Sequence, residues 1–150
     1  MRAFSFRLET LLHLRELSKD RALASYGEAV SLRKKANDQL LHAQEALDEL
    51  QREIALRRSV GFDGSSQGAF NRSLLAAKER IIARNTDLQR ACKLEEAKRS
   101  LFLEAESAFK SMSKLKEKRK EEHILSESKK EESELDDVIG ARFLTKREIF

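Results

Sequence analysis

The sequence predicts an all-α protein, a long antiparallel two-helix coiled-coil hairpin, and three observations carry that prediction. Charged residues make up 37 % of the 150-residue chain and aromatics 6 %, with no Trp and no Pro, a composition that suits long solvated helices better than a thick core. Apolar residues recur in steps of three and four over two long stretches, a stripe that a disordered chain of similar charge would lack. Between the stretches lies SVGFDGSSQGAF, which holds three of the five glycines and marks a reversal of the chain.

Helix one is expected over about residues 4–58. Its seam steps through Tyr26, Ala29, Ala36, Leu40, Ala43, Leu47, Leu50 and Ile54. Arg33 stands at the one place in this register where an apolar residue is expected, and its stem can lie along the seam while the guanidinium reaches water. The small Ala positions let a partner helix approach closely. Arg57 and Arg58 suit the carboxyl end of the helix dipole, and Gly61 suits a left-handed cap.

A turn is expected over about residues 59–70, with Ser66 or Asn71 as N-cap of the next helix. Helix two is expected over about residues 71–139, with a stripe through Leu74, Ile81 and Leu88 and then Leu94, Leu101, Ala105, Ala108, Met112 and Leu115. These two sets do not share one register. The shift between Leu88 and Leu94 implies either a stutter or a change of contacting face. Phe102 and Phe109 widen the stripe.

At 1.5 Å per residue, helix one would be ~80 Å long, and folding the chain back at the glycines closes the hairpin around His123. Beyond it, KEEHILSESKKEESELDD has few apolar residues and should project or fray. Asp136 and Asp137 sit badly near a helix carboxyl end, so Gly140 is expected to stop the helix. That leaves a tail over residues 140–150 with Phe143, Leu144, Ile149 and Phe150, and the whole chain forms a single hairpin.

Nothing in the pattern asks for chemistry. His13, His42 and His123 are far apart, and none stands at the spacing that puts two metal ligands on one helical face, so no metal and no cofactor are expected. Cys92 is single and reads as a filler in a reducing cytoplasm. Glu95-Glu96, Glu121-Glu122 and Glu131-Glu132 have no cavity to desolvate them in a two-helix coil. No apolar run nears the ~20 residues that span a bilayer, and the charged start MRAFSFRLETLLHLRE reads as mature helix. The net charge of +4 is a small excess over many mixed charges. Lys114 to Lys120 is the most basic cluster, but Glu117, Glu121 and Glu122 interleave with it and no aromatic platform accompanies it, so nucleic-acid binding is not expected.

Two segments carry a family likeness. Phe4-Ser5-Phe6-Arg7-Leu8-Glu9, followed by Leu11-Leu12 and Arg15, resembles the start of the flagellar export protein FliJ and its virulence counterparts of the YscO type. Lys116-Glu117-Lys118-Arg119-Lys120-Glu121-Glu122, then Lys129-Lys130-Glu131-Glu132 and Glu134-Leu135-Asp136-Asp137, is similar to that family's charged tail. The resemblance implies a non-enzymatic cytoplasmic rod, peripheral at the inner-membrane export apparatus. Its implied partners are a hexameric type III export ATPase, the export gate and substrate chaperones. Read onto the hairpin, the candidate ATPase-binding residues are Phe4, Phe6, Arg7, Leu8, Leu11 and Leu12 with Lys116, Lys118, Arg119 and Lys120, since a solitary rod has no use for an apolar open end. The competing readings are a generic coiled-coil scaffold and a nucleic-acid-binding rod.

Overall fold

The computed structural model describes residues 2–149, which form two long α-helices packed as a hairpin, α1 (Glu9–Val60) and α2 (Gly64–Ile149). The chain divides into two compact units, a central one, Asp20–Leu103, and a terminal one, Met1–Lys19 with Glu104–Phe150.

The turn belongs to the central unit and is tighter than the composition suggests. Instead of a loop over residues 59–70, only the residues between Val60 and Gly64 are non-helical. Gly61 adopts φ +92°, the left-handed value that closes a helix at little cost only for glycine. Asp63 is the N-cap of α2 in place of Ser66 or Asn71: its carbonyl accepts the Ser66 N–H at 2.9 Å and its carboxylate accepts the Ser65 hydroxyl at 3.1 Å. Helix two therefore begins at Gly64 and not near residue 71. Packing explains the early start, because Phe62 meets Phe70 edge to face at 5.2 Å between ring centres and the Arg57 guanidinium lies 5.7 Å from the Phe70 ring.

The other glycines of this stretch are ordinary helical residues. A methyl group added at Gly61 or Gly68 meets nothing within 4 Å, so only backbone conformation separates the two sites. Gly61→Ala should destabilise the protein by about 1 kcal/mol through left-handed strain. Gly68→Ala should stabilise it by about 1 kcal/mol through helix propensity. Urea unfolding followed by circular dichroism reads both, and equal effects at the two sites would contradict the cap.

The seam of the central unit is an unbroken heptad on both helices. On α1 it runs through Ala22, Tyr26, Ala29, Arg33, Ala36, Leu40, Ala43, Leu47, Leu50 and Ile54, all buried or half-buried. On α2 it runs through Phe70, Leu74, Ala77, Ile81, Arg84, Leu88, Ala91, Glu95, Lys98 and Phe102, all half-buried. The shift expected between Leu88 and Leu94 is therefore absent. Leu94 and Leu101 flank the seam at 40 % and 53 % exposure, and the places they were expected to fill belong to Glu95 and Phe102. The cause is pairing: Glu95 forms an ion pair with Arg33, and the Tyr26 and Phe102 rings stack at 6.2 Å with an interplanar angle of 3°.

These two contacts set an antiparallel register in which seven residues forward on α1 meet seven back on α2. The register places Leu40 opposite Leu88, Leu47 opposite Ile81 and Ile54 opposite Leu74. It also places Lys98 opposite Ala29 and Arg84 opposite Ala43, so long aliphatic stems cover small residues. Ala29 is accordingly 2 % exposed and Ala43 6 %, while the Arg84 head donates to Gln39 Oε1 at 3.4 Å.

In the terminal unit helix one starts at Glu9, and residues 4–8, expected to be helical, precede it. Helix two continues through Gly140 to Ile149, so no separate tail over residues 140–150 is present among the described residues. Gly140 has no positive φ, and its helical cost of about 1 kcal/mol is offset by helix formers on either side and by Lys146 and Arg147 in the last turn. From Lys129 through Arg147 every residue is exposed. Of the apolar residues expected at this end, Phe143 and Leu144 are 62 % and 60 % exposed, while Phe150 and the side chain of Ile149 lie outside the described ones.

Candidate partner-binding surface

The sequence of residues 2–8 does not decide its own conformation, and contacts with α2 decide it instead. His123 Nε2–H donates to the Arg2 carbonyl at 2.8 Å, and the His123 ring lies 5.6 Å from the Phe4 ring. The Arg2 N–H points to Glu127 Oε2 at 3.5 Å, with Lys130 Nζ 3.8 Å from the other carboxylate oxygen. These contacts tie the start of this segment to α2 ahead of the first helical residue, Glu9. Helix α1 takes over where Phe6 C=O accepts the Glu9 N–H at 3.1 Å and Leu8 C=O accepts the Leu12 N–H at 2.8 Å.

The strap formed by residues 2–8 and the neighbouring part of α2 border a groove of about 750 Å³, lined by Phe4, Phe6, Leu8, Leu115, Arg119 and His123 among others. Its walls combine apolar rings and aliphatic chains with a mixed polar rim of Arg7, Arg119 and Glu122. Lys116 bridges the two sides, with Nζ 2.9 Å from a Glu9 carboxylate oxygen. Further in, the Lys19 ammonium sits 4.3 Å from the centre of the Phe109 ring.

The structure sorts the sequence-predicted surface residues by availability. Phe4, Phe6 and Leu11 are half-buried, Arg7 is exposed and Leu8 is 39 % exposed. Leu12 is 8 % exposed and works as a packing residue, because it falls on the α1 face that meets α2. On α2, Lys118 and Lys120 are exposed, Arg119 pairs with Glu122 at 3.4 Å, and Lys116 is half-buried against Glu9. Ala105, Ala108, Met112 and Leu115 are half-buried.

Sequence reasoning placed the closure of the hairpin at His123 and missed its partners Arg2 and Glu127. A signal existed: His123 lies seven residues beyond Lys116 and fourteen beyond Phe109, so it continues that face, and Glu127 follows one turn later. Glu127, at 8 % exposure, is a buried charged residue of the unit, and its carboxylate meets the strap at the Arg2 N–H.

Among the described residues no group of three or more His, Cys, Asp or Glu could hold a metal ion, and no helix is long and apolar enough to cross a membrane. Cys92 is exposed and not a buried filler.

Comparison with known proteins agrees with this reading of the chain. The family described as Flagellar FliJ protein matches residues 4–148. No curated protein and no solved structure matches significantly. The family match covers residues 4–148, which include most of the strap, both helices and the turn. The chain therefore belongs to the FliJ family, proteins of the flagellar and type III export apparatus.

Proposed function

We propose that this protein is a stalk and escort of the export apparatus, binding the export ATPase ring through its terminal unit and linking the ring to the export gate and to substrate chaperones. The observation that carries the proposal is the strap. It gathers Phe4, Phe6 and Leu8 beside Leu115, Arg119 and His123 on one groove, with Lys118 and Lys120 exposed nearby. Apolar side chains can enter a ring lumen, while the basic residues give orientation and a faster encounter with acidic loops. The position of such a protein is the cytoplasmic face of the export apparatus.

Phe6→Ala with Leu8→Ala should weaken binding to a hexameric export ATPase at least about tenfold and remove its stimulation of ATP hydrolysis. Phe62→Ala, at the turn, should leave both nearly unchanged. Binding is read by calorimetry and helicity by circular dichroism. If helicity is kept and the turn variant loses binding while the strap variant keeps it, the assignment of the surface is wrong.

A further inference from the structure

From Leu135 through Arg147 the side chains of α2 are exposed, yet they carry an organised face. Leu135, Val138, Ile139 and Phe143 are 60 %, 48 %, 55 % and 62 % exposed. At 100° per residue they fall within an arc of about 140°, a largely apolar face that Arg142 shares, on a helix otherwise solvated. Charge around the face is segregated along the axis. Glu131, Glu132, Glu134, Asp136 and Asp137 precede its middle with no base among residues 131–137, and Arg142, Lys146 and Arg147 follow with no acid among residues 141–147. The Arg147 guanidinium lies 5.8 Å from the Phe143 ring, which keeps a basic group beside the apolar patch.

We propose that this segment pairs antiparallel with the same segment of a second copy of the chain, around a two-fold axis near Ile139. The charge pattern selects both the occupant and its direction. Antiparallel alignment centred on Ile139 brings Leu135 of one copy level with Phe143 of the other, and Glu132 level with Lys146, so each acidic half lies along a basic half. Parallel alignment would set acid along acid and base along base, with repulsion of the size seen for like charges on neighbouring helices. An isologous contact of this kind closes as a dimer and does not propagate. Four apolar side chains per copy make a small interface, so the dimer is reversible, and its ionic part is weakened by salt. The proposal is independent of the ATPase assignment, since none of these residues lines the strap groove.

Sedimentation velocity on the full chain carrying Cys92→Ser provides the test. Expected is a concentration-dependent monomer–dimer equilibrium that shifts toward monomer as salt rises. Ile139→Lys should raise the dissociation constant at least about tenfold, because it sets two like charges at the axis. Arg142→Glu with Lys146→Glu and Arg147→Glu should be monomeric alone, as should Glu132→Lys with Glu134→Lys and Asp136→Lys, and mixing the two variants should restore a dimer. Direction is read from cysteine pairs: Leu135→Cys should cross-link efficiently to Phe143→Cys on another copy and poorly to itself. A chain that stays monomeric at every concentration overturns the proposal, as does a dimer indifferent to Ile139→Lys. Preferential Leu135→Cys self-cross-linking also overturns it. The cysteine variants leave every charge in place, so they decide the matter even if a charge-reversed helix frays.

Discussion

Ile54→Ala is expected to destabilise the protein by about 3 kcal/mol, at the moderate end of the range for removing a buried Ile side chain. Ile54 is 4 % exposed, and the register sets it opposite Leu74, one turn before the helix runs into Arg57 and the Phe70 ring. Neither neighbour can collapse into the space, because Leu74 is fixed on a helix and Phe70 is held by Phe62. Leu56→Ala removes a residue of similar size that is 68 % exposed and should change stability by less than about 0.5 kcal/mol. Urea unfolding of the two variants measures the difference, and equal losses would mean that the seam does not run where the register puts it.

The second large effect is expected at the ion pair inside the seam. Glu95→Lys should cost about 2 kcal/mol, because it replaces an attraction by a contact between two cations and adds to the charge of Lys98 on the same face. The figure is kept low because the Arg33 and Glu95 side chains are still 33 % and 21 % exposed, so water screens part of the interaction. Exchanging the two, Arg33→Glu with Glu95→Lys, should recover at least half of the loss. Failure of the exchanged pair to exceed Glu95→Lys alone in stability would show that the residues act separately. The pair also fixes alignment, since sliding one helix by a heptad would face Arg33 with Leu88 or Phe102 and leave Glu95 against Leu40 or the Tyr26 ring.

The candidate surface was partly legible in the sequence. Phe4, Phe6 and Leu8 stand out as apolar residues at the start of a charged chain, and the basic run from Lys114 to Lys120 is visible by inspection. Their conformation was not legible. A stretch with helix-compatible residues and no Pro reads as helix, yet Arg2 and Phe4 are held by His123 and Glu127, more than one hundred residues away in sequence. Local propensity is worth a few tenths of a kcal/mol per residue and is overridden by a few specific long-range contacts.

The second helix shows the same division. Leu94 and Leu101 draw the eye as seam residues because they are apolar, whereas Glu95 and Lys98 occupy seam positions because partners on α1 accept them, Arg33 as a counter-ion and Ala29 as a small surface under a long stem. A single helix contains no record of its partner, so polarity misleads wherever a charged residue is matched across the interface. By itself the sequence determined the class of fold, the α1 seam from Tyr26 to Ile54 and the left-handed Gly61, because each follows from local period or backbone freedom. Only the tertiary structure decided the strap, the N-cap at Asp63 and the true α2 seam, because each depends on the balance between weak local preferences and what the surrounding chain supplies.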